Sequence, residues 1–368
     1  MNNLLDGIKP TLLMGPGPSC VHPDTYRALS RRTIGHLDPF FIEIMDNIKE
    51  KLRCIMGTGN NITVPISGTG SAGMEAAFVN TVERGDRVLV IINGVFGNRM
   101  AEVAGRLGAE VDRLEFEWGT AADAGAVKRK LDEKAYDIVA VIHAETSTGV
   151  ANPVGEIGRA AAGRALYIVD CVTSLGGMPV ELDAWNADVA YSGSQKCLSC
   201  PPGLSPVTFG ERAMAKIAAR KNSVPNWYLD VGLLASYWEG SKRVYHHTAP
   251  VNMLYGLYQA LLLFEEEGAE AVIARHRVCH EALADGLGKI GLKMPVAPDA
   301  RLPMLNLVEV PPNVDEAALR GRLLNEFNIE IGAGLGPFAG KYVRIGLMGH
   351  TAREENVETL LAALRKCL

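Results

Sequence analysis

From Ile62 to Phe209 short apolar runs alternate with amphipathic stretches, and this pattern constrains the fold more than any other feature of the chain. Thr63 to Ile66, Arg87 to Ile92, Ile138 to Ile142, Leu166 to Asp170, Val189 to Ser192 and Pro206 to Phe209 read as strands. Ala72 to Val82 and Asn98 to Leu107 read as helices between the first of them. Such alternation builds a mostly parallel sheet covered by helices. The last strand can run in either direction. A long helical pattern follows Pro250 through Leu254, Leu257, Leu261 and Phe264, placed to bridge two domains. From about Gly268 the order becomes helix, strand, helix, strand, helix: Ala269 to Ile290, Leu305 to Val310, Val314 to Glu326, Tyr342 to Ile345 and Arg353 to Arg365. The expected division is an N-terminal segment over residues 1–20, a large α/β domain over 21–265 and a smaller α+β domain over 266–368.

Composition narrows the classes of function. With 368 residues and 48% hydrophobic content, a large core is available. The net charge of -5 is mild and no basic stripe interleaves with aromatics, which argues against nucleic acid as a partner. The run Val88 to Ile92 is strand-sized, and no stretch is long enough to cross a bilayer. The first ten residues carry Asp6 and no cleavable apolar region, so no secretory signal is expected. Seven cysteines without paired spacing fit a reducing cytoplasm better than a disulfide scaffold.

Two polar residues stand where an open α/β sheet binds ligands, at the C-terminal ends of its strands. Asp170 closes the apolar run Leu166 to Val169, and Lys196 closes Tyr191-Ser192-Gly193-Ser194-Gln195-Lys196. A buried amine near a buried carboxylate is what pyridoxal 5′-phosphate requires. The lysine forms a Schiff base, and the aspartate keeps the pyridine nitrogen protonated. The bland readings are a helix-capping aspartate and a solvated lysine. The small polar approach to Lys196 and the stiff Pro201-Pro202-Gly203 beyond it favour function.

Ser67-Gly68-Thr69-Gly70-Ser71-Ala72-Gly73 follows a strand and opens a helix. Its small residues let backbone N–H groups reach a phosphate at a helix N-terminus. Gly68, Gly70 and Gly73 also match the dinucleotide fingerprint, so a nicotinamide-dependent oxidoreductase competes. That fingerprint wants an acidic residue ending the next strand, where Asn93-Gly94 stands instead. Phe96 follows a strand end and is suited to stack on a flat ring. Arg344 interrupts the apolar run Val343 to Ile345 and is suited to clamp a carboxylate. Cys197-Leu198-Ser199-Cys200 lacks a second pair of ligands and reads as two buried thiols, not a metal site. His276 and His280 lack a third ligand and read as a solvated helix face.

Taken together, these segments resemble the class V aminotransferases of pyridoxal-phosphate fold type I, and most of all the alanine–glyoxylate and serine–pyruvate aminotransferases. Gly15-Pro16-Gly17-Pro18-Ser19, Ser67 to Gly70, Asn93-Gly94, Ser147 to Val150, Val169-Asp170, Ser174 to Gly177 and Tyr191 to Lys196 carry the likeness. Pro201 to Gly203, Tyr245 to Thr248, Gly334 to Pro337 and Arg344 to Gly346 extend it over nearly the whole chain. The resemblance implies a seven-stranded, mostly parallel sheet with a smaller C-terminal α+β domain. It implies Lys196 as Schiff-base lysine, Asp170 as pyridinium partner, and Ser67, Gly68, Thr69, Gly70, Ser71 and Gln195 around the phosphate. Phe96, where relatives often carry tryptophan, and Thr146 would face the ring. Gly17, Ser174 and Arg344 would contact substrate. Tyr245 and Thr248 would reach the phosphate of a neighbouring subunit, making a homodimer part of the site. The implied reaction is transamination of alanine or serine with glyoxylate or pyruvate. Ureidoglycine–glyoxylate, aspartate–glyoxylate and pyridoxamine–pyruvate exchange are the alternatives on the same scaffold.

Overall fold

The computed structural model describes residues 3–240 and 243–368. Seven strands form one sheet: β1 (Ile62–Ser67), β2 (Arg87–Ile92), β3 (Glu110–Glu115), β4 (Ile138–Ile142), β5 (Leu166–Asp170), β6 (Val189–Tyr191) and β7 (Leu204–Phe209). Their spatial order is β1-β7-β6-β5-β4-β2-β3. β2 to β6 pair in parallel, whereas β7 runs antiparallel to both β6 and β1. The direction that sequence left open is thereby settled.

β4 and β5 are buried along their whole length, as strands covered on two faces must be. β3 reads Glu-Val-Asp-Arg-Leu-Glu and forms the sheet edge. Its charged residues suit an edge strand, since they discourage pairing with another chain. They also hide it from a search for apolar runs. The helix Pro39–Met56, likewise absent from the sequence reading, buries Phe41, Met45, Ile48, Leu52 and Met56 at helical spacing. Asp38 caps its start, and Gly57 ends it at a positive φ of 58°.

A second apolar core gathers Leu283, Leu287, Leu323, Val343, Ile345, Leu360 and Leu364. It lies under a three-stranded sheet of Leu305–Glu309, Tyr342–Gly346 and Gly332–Ala333. Met14 belongs to this core, and Leu12–Leu13 pairs in parallel with Ile329–Glu330. Gly346 N–H of the three-stranded sheet also donates to the Met14 carbonyl at 2.7 Å, so the N-terminal segment is anchored to the C-terminal domain, and that anchor carries Gly15 to Pro18 across to Lys196.

The expected solvated face at His276 is corrected by the fold. His276 is fully buried; its Nδ1 donates to the Val272 carbonyl at 2.7 Å, and its Nε2 accepts from Gly349 N–H at 2.9 Å. Both ring nitrogens are used, and burial lowers its pKa to about 4. It fastens helix Ala269–Lys289 to the turn at Gly349. His280 donates to Asn306 Oδ1 at 2.6 Å. A histidine with two backbone partners looks polar in sequence, and only tertiary contact shows where it points.

Among the described residues, no helix is long and apolar enough to cross a membrane. Among the same residues, no group of three or more His, Cys, Asp or Glu is placed to hold a metal.

Candidate active site

The C-terminal ends of β1, β2, β4, β5 and β6 open into one cleft of about 180 Å³. Thr69, Gly70, Ser71, Phe96, Thr146, Asp170, Gln195 and Lys196 line it together. These residues span nearly 130 positions of sequence, and the parallel topology gathers them because successive loops leave the same edge.

Gly70 begins the helix Gly70–Thr81, and the capping Thr69 uses no side-chain bond there. Ala72 N–H bonds the Thr69 carbonyl at 2.7 Å, whereas the N–H groups of Gly70 and Ser71 have no helical acceptors and lie at the cleft with the positive end of the helix dipole. Gly70 also packs close to Val172: a Cβ at this position would stand 3.1 Å from Val172 Cγ2. Gln195 Oε1 is buried without a hydrogen-bond partner, beside this cradle. A phosphate group fits a site built of free N–H groups at a helix N-terminus.

Asp170 is buried, with Oδ1 accepting from Val172 N–H at 2.7 Å. Burial pushes its carboxyl up to about 7, against the opposing pull of that N–H. A cationic pyridinium N–H is the kind of partner that would restore its charge. Lys196 stands across the cleft with its pKa lowered to about 8, mainly by burial. Its Nζ donates to the Pro16 carbonyl. Gly17 has φ of 102°, and a Cβ there would lie 2.7 Å from Lys196 Nζ. Only glycine lets the N-terminal segment pass this close to the amine. The residues present therefore fit pyridoxal phosphate in amine, acid and anion cradle.

Phe96 is half-buried on the cleft wall, one residue into helix Val95–Arg106. Arg99, one turn further, sits with Cζ 5.0 Å from the Phe96 ring centroid and also lines the cleft. Beneath them lies Glu145, a residue the sequence reading did not single out. Its carboxylate accepts from Phe96 N–H at 3.1 Å, Gly97 N–H at 3.2 Å and Ser147 N–H at 3.1 Å, and from the Ser147 hydroxyl at 2.5 Å. It is fully buried, and burial raises its pKa. A carboxylate in the small polar loop Ala144 to Gly149, just after an apolar strand, was the available signal.

Arg344 is buried and held by neutral carbonyls, with Nε donating to Ala333 at 2.7 Å and Nη1 to Thr146 at 3.3 Å. Burial lowers its pKa to about 10, while the Glu145 carboxylate works the other way. Its positive charge in turn helps to lower the pKa of Lys196, so the two cations feel one another across the site.

Other expected residues stand elsewhere. Ser67 lies outside the cleft lining, bonded through Oγ to His247 Nε2 at 3.0 Å. Gly68 supplies the turn, with its N–H donated to Gly203. Ser174 is fully buried with an unpartnered hydroxyl, and its neighbour Thr173 takes the place on the wall. Tyr245 and Thr248 are exposed, away from the cleft of their own chain. Cys197 and Cys200 are both buried thiols, as read from sequence.

The nicotinamide alternative fails on topology. β1 lies at one sheet edge against antiparallel β7, with four strands between it and β2. A dinucleotide unit needs those two strands as parallel neighbours.

The sheet, the second core and the Lys–Asp cleft together define a pyridoxal-phosphate enzyme of fold type I. The family model "Aminotransferase class-V" matches residues 23–360. The chain is 40% identical to the (S)-ureidoglycine–glyoxylate transaminase of Bacillus subtilis, over 97% of this chain and 90% of that protein. It is 40% identical to the alanine–glyoxylate aminotransferase of Rattus norvegicus, over 97% and 87%. The crystal structure of an alanine–glyoxylate aminotransferase from Nostoc superposes with a TM-score of 0.96 at 45% identity, covering 100% of this chain and 99% of that one. The chain belongs to the class V aminotransferases, and it is a pyridoxal-phosphate-dependent enzyme.

Proposed function

We propose that this enzyme passes the amino group of a small amino acid, alanine or serine, to glyoxylate or pyruvate in a ping-pong cycle carried by Lys196. One observation supports the chemistry above all others: a buried amine with its pKa lowered to about 8 shares one cleft with a buried carboxyl raised to about 7. Bound pyridoxal phosphate supplies an aldehyde for the amine and a ring that accepts electrons.

Lys196 would hold the cofactor, and once displaced by an incoming amino group it would take the substrate's α-proton and later return a proton. Its lowered pKa leaves more of it neutral near pH 8 than an ordinary lysine, which suits a base. Asp170 would keep the ring nitrogen protonated. Thr69, Gly70, Ser71 and Gln195 would bind the phosphate, while Phe96 and Thr146 flank the ring. Arg344, with only neutral partners, would clamp the substrate carboxylate, and Gly17 would close the cleft over the amine. Tyr245 and Thr248, exposed on their own chain, would complete the phosphate site of a second copy in a homodimer. Two separate apolar cores support a large domain over about residues 21–265 and a smaller one over about 266–368, with the N-terminal segment 1–20 between them. Seven cysteines without a disulfide among them suit the cytoplasm.

Small substrates are supported by the narrow cleft, with Ile142, Ala144 and Val172 on its walls. Full-length similarity to alanine–glyoxylate enzymes favours the same exchange. The Bacillus relative favours (S)-ureidoglycine as a second donor to test.

Borohydride reduction of the holoenzyme followed by peptide mapping should place the label on Lys196, and Lys196→Ala should fold but lose turnover. An unlabelled Lys196, or full activity in that variant, overturns the mechanism. Single-turnover spectra with alanine, serine and ureidoglycine, each followed by glyoxylate or pyruvate, identify the donor. Activity with none of them overturns the substrate reading.

A further inference from the structure

A second cavity, of about 250 Å³, lies behind Lys196 and apart from the cofactor cleft. Its walls are the turn Cys197 to Ser199, the junction of helices Val251–Glu267 and Ala269–Lys289, and the segment Gly349 to Arg353. His22 and Thr25 close it from the N-terminal side. Leu198, Ala260 and Val272 give it an apolar lining.

Among the described residues, four groups on the walls of this cavity keep a donor that no acceptor of the chain takes up: His22, Thr25, His350 and Arg353. His22 Nδ1 accepts from Asp24 N–H at 3.1 Å, which puts its proton on Nε2. His350 Nδ1 faces Arg353 Nη2 at 3.2 Å, and since a guanidinium only donates, this ring too carries its proton on Nε2. The rings meet edge to face with centroids 4.9 Å apart. Burial, and then the charge of Arg353, lowers the pKa of both, that of His350 to about 4. Neither Nε2 meets an acceptor among the described residues, and the buried Thr25 hydroxyl has no partner. Arg353 pairs with no carboxylate among them either.

Arg275 is different. Its guanidinium is committed to Glu267 and to the carbonyls of Gly349 and Ala352. That leaves the exposed Glu266 as a carboxylate on the wall with no partner among the described residues.

We propose that this cavity is a second ligand site, taking a small monocarboxylate with a short aliphatic part. Two imidazole N–H groups and a guanidinium match the acceptor set of one carboxylate. The cavity is smaller than those that enclose drug-sized ligands, and Leu198, Ala260 and Val272 receive the aliphatic part. His22 and His350 line the cavity with their protons on Nε2, which suits an anion and not a metal ion. An α-amino group on the ligand would face Glu266, so a simple carboxylate and its amino derivative distinguish two sources of the same chemistry. A bound carboxylate would join the turn after Lys196 to the C-terminal segment at Gly349.

The test uses isobutyrate and 2-methylalanine, which has no α-proton to lose, on Arg344→Ala holoenzyme in chloride-free buffer. Ring signals of His22 and His350 are followed by carbon–proton NMR. A saturable shift of both rings, weakened at least tenfold by Arg353→Met and largely restored by Arg353→Lys, supports the site. Tighter binding of 2-methylalanine than of isobutyrate, abolished by Glu266→Gln, assigns amino acids as the source; equal or weaker binding assigns simple carboxylates. Absence of any shift, or a shift unchanged in Arg353→Met, overturns the proposal.

Discussion

Asp170 and Lys196 approach each other in acidity because burial disfavours the charged form of each. The consequence for Asp170 has a definite sign. Its folded pKa of about 7 lies above the ordinary 3.8, so between these values the folded chain keeps a proton that the unfolded chain has lost. The Asp170 contribution to the stability of the cofactor-free protein therefore falls as pH rises from about 4 to about 7 and is level above that, while buried His276, with its pKa lowered to about 4, contributes in the opposite direction. Asp170→Asn removes the effect; on going from pH 5 to pH 8 the urea midpoint of the variant should rise relative to that of the parent. Arg344→Ala removes a charge-assisted bond of about 1.5–3 kcal/mol, which corresponds to a KM raised roughly 10- to 150-fold for donor and acceptor alike. An unchanged KM for both substrates excludes Arg344 as the clamp.

Helix Val95–Arg106 depends on a residue distant in sequence. Its first N–H groups are satisfied by Glu145, which sits almost 50 positions further along the chain. Gly94 permits this contact, since a Cβ there would overlap Glu145 and Ser147. Asn93 and Asn152 lock the same strand ends through reciprocal amide bonds of 2.8 and 3.1 Å. Glu145→Gln keeps the shape and removes the carboxylate, so two helix N–H groups lose a charged acceptor. The expected cost is about 1–3 kcal/mol, measured by denaturant unfolding, together with weaker retention of pyridoxal phosphate on dialysis. A variant as stable and as well loaded as the parent would show that the carboxylate's charge is idle.

At the scale of the whole molecule, the exposed Tyr245 and Thr248 give the proposed homodimer a direct test. Lys196→Ala and Tyr245→Ala chains damage different halves of a shared site. If sites are shared, denaturing and refolding the two together should yield activity above that of either parent, because one site of each mixed dimer is intact. No gain on mixing, with dimers present by sedimentation, would show that Tyr245 serves its own chain or none. The tie between Arg275, Glu267 and the Gly349 and Ala352 carbonyls acts at this scale too, holding the C-terminal segment to the helix junction.

Local sequence was enough for the buried strands, the glycine-rich turn, Asp170 at its strand end and Lys196 beyond the next, because apolar runs and small-residue turns are written in neighbouring positions. It was not enough for the edge strand Glu110–Glu115, whose charges mask its pairing, or for Glu145, whose partners belong to another loop. His276 shows the same limit: four-residue spacing marks a helix face but not what that face meets. Ser174 and Thr173 are adjacent in sequence, yet only one reaches the cleft, since backbone direction after a strand is set by packing. The chain order thus determined the elements and the chemistry on offer. Tertiary structure decided which polar groups share a cavity, because that depends on strand order and on burial that no local pattern records.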